Sequence, residues 1–154
     1  LFVWHHEYPP RILSLYALPE GNLVQRFEPG YGGEIRWTPH LTLCHTWGAG
    51  TNVTNVALYD CDGNGVGVRI ADTLLFSPSS AYVVDYPSWR WVGNQELRII
   101  SLADLSIVAA HARPDGLSVI HDIRWESNEA VVLSYETDDG RETNERIPVA
   151  IENE

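Results

Sequence analysis

The sequence predicts an all-β chain, and three observations carry the prediction. Apolar residues come in short runs, rich in β-branched and aromatic side chains and bounded by Gly, Pro, Asn or Asp, which is the pattern of strands. No stretch holds apolar residues at spacings of three and four for long enough to build a helix of about ten residues. The third observation is a repeat. Trp37-Thr38-Pro39 returns as Phe76-Ser77-Pro78, and again without the proline as Trp125-Glu126-Ser127. In each copy an aromatic residue closes one apolar run, a small polar turn follows, and a second run begins: Leu41 to Trp47, Ala81 to Tyr86 and Ala130 to Tyr135. The copies lie about 40 and about 50 residues apart, a period at which internal similarity signals a repeat architecture.

The elements follow in order. Residues 1–10, with two prolines and the polar His5-His6-Glu7, are expected to form a loose N-terminal segment. Strands are expected over Arg11 to Leu18 and Asn22 to Phe27, then Glu34 to Thr38, Leu41 to Trp47, Val53 to Tyr59 and Val66 to Ile70. A further four cover Thr73 to Phe76, Ala81 to Tyr86, Glu96 to Leu102 and Leu105 to His111. The last three are His121 to Trp125, Ala130 to Thr137 and Arg141 to Ile151. Pro19-Glu20-Gly21, Asp62-Gly63-Asn64-Gly65, Asp115-Gly116 and Asp138-Asp139-Gly140 supply the positive backbone angles of tight reversals between them. The repeats thus fall near 34–70, 73–111 and 121–151, within a single all-β domain over residues 1–154.

Segments Leu74 to Val84 and Ile123 to Leu133 resemble the first two strands of blades in the WD-repeat and related β-propeller families. Glu96 to Leu105 is similar to a third strand running into the turn before a fourth. His111 precedes Ile120 and Trp125 much as a WD-repeat histidine precedes the first strand of the next blade. The Gly-His and Trp-Asp pairs that define that family are missing from this sequence. The resemblance runs over roughly residues 11–151 and implies about three propeller-like four-stranded antiparallel units, as a partial propeller or a self-assembling open ring. A β-sandwich or barrel is the alternative. Propellers close with about four to eight blades, so three units leave free edges. The rest of a longer propeller or a second copy would pair them, a homodimer joining terminal strands such as Arg141 to Ile151.

Composition narrows the partners. All ten basic residues are arginine, and 21 carboxylates set the formal charge at -11. Such a field repels polyanions, so nucleic acid and anionic membrane are poor partners, and no apolar stretch reaches the roughly 18 residues of a membrane span. The start, Leu1 in a chain without methionine, is expected to have lost its first residue or been cut from something longer. In the expected hairpin Cys44 falls opposite about residue 57, too far from Cys61 for the roughly 7 Å reach of a disulfide. Reduced cysteines point to a cytoplasmic chain.

Asp60-Cys61-Asp62-Gly63-Asn64-Gly65 matches the opening of a calcium loop, with Asp60, Asp62 and Asn64 as oxygen ligands. The twelfth position, where a bidentate glutamate belongs, is Ala71. A hairpin turn explains the same residues, which leaves weak calcium binding as the only cofactor expectation. His5 and His6 are adjacent and project to opposite sides of an extended chain, and His40, His45, His111 and His121 lack metal-ligand spacing. Cys44 and His45 likewise face apart and form no dyad, and neither a nucleophile elbow nor a phosphate-cradling glycine loop opening a helix is present. Asp138-Asp139 and Glu142 to Glu145 read as a solvated turn and an acidic edge strand. The segment from Pro87 to Asn94 holds Trp89, Arg90 and Trp91, residue types enriched at binding hot spots. Together these features point to a non-catalytic binding or scaffold module with a protein partner. A glycan-binding or glycan-hydrolysing propeller, or an accessory domain of a hydrolase, is the alternative.

Overall fold

The computed structural model describes residues 2–7, 12–17, 20–27, 31–50, 53–60, 64–71, 73–87 and 95–149. Among these residues the chain is all-β, with no helix. The strands are β1 (Phe2–Glu7), β2 (Ile12–Ala17), β3 (Asn22–Phe27), β4 (Tyr31–Trp37), β5 (Leu43–Gly50), β6 (Val53–Tyr59) and β7 (Gly65–Ala71). They continue with β8 (Thr73–Phe76), β9 (Tyr82–Tyr86), β10 (Glu96–Ser101), β11 (Ile107–Ala112), β12 (Leu117–Ser127), β13 (Ala130–Thr137) and β14 (Glu142–Pro148). Every sheet is an antiparallel meander: β1–β3, β4–β7, β8–β11 and β12–β14, here called the first to fourth sheets. Strands therefore pair with their neighbours in sequence, as hairpin turns between short apolar runs dictate.

Several boundaries move by two or three residues, β4 beginning at Tyr31 and β5 running on to Gly50, and the two largest departures have identifiable reasons. Phe2–Glu7 is a strand and not a loose end: it pairs with β2 from Phe2 opposite Ala17 to Glu7 opposite Ile12. Its sequence, three apolar residues followed by three polar ones, has no two-residue alternation, and only backbone pairing reveals the strand. β12 starts at Leu117, four residues before the expected start at His121, because register shifts at Leu117/Val119, Ile120/Asp122 and Trp125/Ser127 break the two-residue period. β5 pairs with β6 so that Cys44 lies opposite Leu58, one place from the expected register.

The recurrent motif is a turn device. Thr38 N–H donates to Thr42 C=O at 2.9 Å and Leu41 N–H to Thr38 C=O at 3.1 Å, while Ser77 N–H donates to Tyr82 C=O and Ser80 N–H to Ser77 C=O, both at 2.9 Å. Leu41 and Ser80 take the left-handed conformation at φ 60 and 58. The hydroxyls of Thr38 and Ser77 are buried and accept from Thr42 N–H at 3.3 Å and Tyr82 N–H at 3.1 Å. A small residue with an oxygen is needed there to satisfy a buried amide at the hairpin mouth. The aromatic before it is less buried than the small residue: Trp37 is 41 % exposed, and Phe76 and Trp125 are half-buried. Arg36 lies over the Phe76 ring, 4.5 Å from its centroid, a cation–π contact between the second and third sheets.

Two apolar clusters bind successive sheets face to face. One joins Cys44, Val56 and Leu58 of the second sheet to Val83, Ile100, Leu102 and Leu105 of the third. The other joins Val84, Leu97 and Ile99 of the third to Val131, Leu133, Tyr135 and Ile147 of the fourth. Adjacent residues Val83 and Val84, and Ile99 and Ile100, point to opposite faces, so the third sheet is apolar on both sides. Polar contacts reinforce the stack. Thr42 Oγ1 donates to Leu102 C=O at 2.9 Å, Arg69 to Leu105 C=O at 3.1 Å, Ser79 N–H to Asn128 Oδ1 at 3.0 Å and Trp125 Nε1 to Leu75 C=O at 2.9 Å.

Candidate functional site

The fourth sheet differs from the third in having one apolar face. Val131, Leu133 and Tyr135 of β13 enter the core, so Val132, Ser134 and Glu136 project outward. Cross-strand register sets Arg124 and Arg146 beside Val132, Asp122 and Asn144 beside Ser134, and Val119 and Glu142 beside Glu136. All six flanking residues are exposed. Val132 is nevertheless only 9 % exposed, because the two arginine stems beside it cover the strand while their charged ends stay in water.

Charges on this face are held in fixed pairs. Arg124 meets Asp122 at 2.8 Å, Arg146 Nε meets Glu126 at 2.6 Å and His121 Nε2 lies 3.7 Å from Glu136. Ser134 Oγ donates to Asn144 Oδ1 at 2.6 Å and accepts from Arg124 at 3.4 Å, which links the pairs across β12, β13 and β14. At the upper rim, Asp139 is held below the ordinary carboxylate range by the Thr137 hydroxyl first and then by Arg141. The same β13–β14 hairpin reaches the third sheet on its core side. Glu145 Oε1 is 3.3 Å from His111 Nε2 on β11, and burial, with the nearby Glu145 charge second, raises the Tyr135 phenol.

The sequence-predicted residues fall elsewhere. Asp60 accepts Asn64 N–H at 2.8 Å on one carboxylate oxygen and the Asn64 amide at 3.0 Å on the other, which closes the turn between β6 and β7. Asp62 lies outside the described residues, as do Trp89, Arg90 and Trp91. His5 and His6 lie on β1, and His40 is exposed in the turn after Thr38. Cys44 and His45 project to opposite faces of β5, both buried. The buried carboxylate of Asp85 stands opposite Arg98 in the β9–β10 ladder. Among the described residues, no three His, Cys, Asp or Glu are grouped to hold a metal ion, and no helix is long and apolar enough to cross a membrane.

Sequence reasoning missed the Ser134, Asn144, Arg124 and Arg146 grid. Its only trace was the charge of Glu142 to Glu145, read as an acidic edge strand. Comparison with protein-family models and with curated proteins gave no match.

Proposed function

We propose that the chain is a propeller-like binding module that offers the outer face of the fourth sheet to a protein partner. The observation that carries this reading is the exposed grid on β12–β14, where Asp122 and Glu126 are each steadied by an arginine. Charges fixed in place lose little freedom on docking, so they set orientation at low entropic cost. The overall charge of -11 selects a partner with a basic face. Support for the propeller-like part comes from the third sheet, whose two faces serve two successive sheets.

A photoreactive residue placed at Ser134 tests the reading. It should form one dominant adduct with a basic protein in the source cell, and the adduct should disappear when Asp122 and Glu126 are both changed to Arg. Equal labelling from exposed Val68 on β7, or turnover of a glycan by the purified chain, would overturn it.

A further inference from the structure

We infer that the edge of β14 is a strand acceptor and that a second copy of the chain fills it, antiparallel about a two-fold axis through Asn144. The inference does not depend on the binding partner proposed above. Its first support is the strand order. The turns after Trp37, Phe76 and Trp125 align β4, β8 and β12 as first strands, which makes β5, β9 and β13 second and β6, β10 and β14 third. In the second and third sheets a fourth strand follows, β7 on β6 and β11 on β10. Among the described residues the fourth sheet ends at β14.

Hydrogen-bond phase shows what that edge presents. Thr137 N–H donates to Arg141 C=O at 2.9 Å and Gly140 N–H to Thr137 C=O at 2.8 Å, with Gly140 at φ 77, so Thr137 and Arg141 form the bonded pair that closes the hairpin. Antiparallel ladders alternate, and Tyr135–Thr143, Leu133–Glu145 and Val131–Ile147 are therefore the bonded pairs that follow. Val149 N–H, in the same phase, donates inward to Glu129 C=O at 2.8 Å. Glu142, Asn144 and Arg146 are left with N–H and C=O groups turned away from β13. Pro148 has no N–H, and the donor row stops there.

This row is complementary to itself. With Asn144 opposite its own copy, Glu142 stands opposite Arg146 of the partner subunit, and the partner's Glu142 stands opposite Arg146. All three outward residues then exchange backbone bonds, about six in all, with two cross-strand ion pairs on the solvent side. Centring on Thr143 sets Arg146 against Gly140, and centring on Glu145 sets Glu142 against Pro148, so both registers lose bonds and charge pairing. In the single chain Arg146 Nε reaches across β13 to Glu126; in the dimer this exposed side chain swings outward to the partner's Glu142 and leaves Glu126 to solvent. Charges can also guard an edge against pairing. What marks an acceptor is their order, acid and base equidistant from a neutral centre. Pairing would merge two fourth sheets into one continuous six-stranded sheet, and their charged faces into one platform.

Analytical ultracentrifugation of the purified chain from about 5 to about 500 μM decides the matter. A reversible dimer is expected. Glu142→Arg opposes two arginines on each side and should weaken the dimer about 10-fold or more. The doubly exchanged chain, E142R with R146E, restores the complementarity and should recover most of the loss. Asn144→Pro removes the outward N–H and the side-chain acceptor of Ser134 but no backbone bond to β13, and should be monomeric with an unchanged circular dichroism spectrum, whereas Asn144→Ala, which loses only the Ser134 bond, should still dimerise. Three results would overturn the inference: a monomer throughout the range, a dimer that E142R leaves unmoved, or a double variant no tighter than E142R.

Discussion

His45 makes the stability of the second sheet depend on pH. It lies on β5 between Ile35 and Ala57, facing away from Cys44, and only 3 % of it is exposed. Burial lowers its pKa from 6.5 to about 4, so the imidazole stays neutral in the folded chain well below neutral pH. Because the folded value is the lower one, the unfolded chain binds the extra proton first. Stability is therefore complete above pH 6.5 and falls as the pH drops toward 4, where the folded chain takes up the proton too. At about 1.4 kcal/mol per pH unit the gap sets a ceiling of about 3 kcal/mol, of which about 2 kcal/mol is lost between pH 7 and pH 5. Asp104 and Asp139 have depressed values as well, but stability from them is present above 3.8 and lost below it, outside this window.

Urea denaturation followed by circular dichroism at half-unit steps from pH 7.5 to 4.5 would measure the loss. With a slope of about 2 kcal/mol per molar urea, the midpoint should fall by about 1 M between pH 7 and pH 5 at constant slope. His45→Gln should be less stable at pH 7 and much flatter across the same range. The difference between the two profiles isolates His45 from the exposed histidines. Parallel profiles from pH 6.5 to 4.5 would refute the claim that burial keeps this imidazole neutral.

Two further substitutions test the stacking and the repeated turn. Trp125→Phe keeps a ring in the interface between the third and fourth sheets but removes the donor to Leu75 C=O, and should cost about 1 kcal/mol in the same assay; no change would mean that this bond does not tie the sheets. Leu41, 73 % exposed, holds the left-handed conformation of the turn at φ 60, which asparagine adopts with less strain, so Leu41→Asn should stabilise by about 0.5 to 1 kcal/mol. A destabilised Leu41→Asn would show that the leucine side chain contributes packing that its exposure hides.

Much of the fold was legible because strand formation here is local. Runs such as Val53–Tyr59, Thr73–Phe76 and Ala130–Thr137 are bounded by turn residues at both ends, and their limits match those of β6, β8 and β13. β1 was not legible, since Trp4-His5-His6-Glu7 gains its strand character only from pairing with Ile12–Ala17. The repeat was visible, but its meaning was misplaced. Aromatics draw attention as core residues, whereas the buried member of the motif is the hydroxyl of Thr38 or Ser77, a small residue whose value lies in one satisfied amide. The outer grid was hidden for a different reason. Three register shifts along β12 decide which of Asp122, Arg124 and Glu126 share a face with Ser134 and Arg146, and no periodicity in the sequence records them.

The contrast between the third and fourth sheets bears on how such an array can grow. Val83 with Val84 and Ile99 with Ile100 make the third sheet apolar on both faces, so it is stable only with a sheet on either side. The fourth sheet is apolar toward the third and carries Asp122, Arg124, Glu126 and Arg146 on the other face. Packing another sheet against those ion pairs would strip water from four charges, and the attraction within each pair offsets only part of that loss. In-plane addition beside β14 has no such cost, because the charged ends remain in solvent while outward N–H and C=O groups find partners. Extension beyond the fourth sheet is therefore favoured at its edge and opposed at its face, and the grid on β12–β14 stays open to a polar partner in either case.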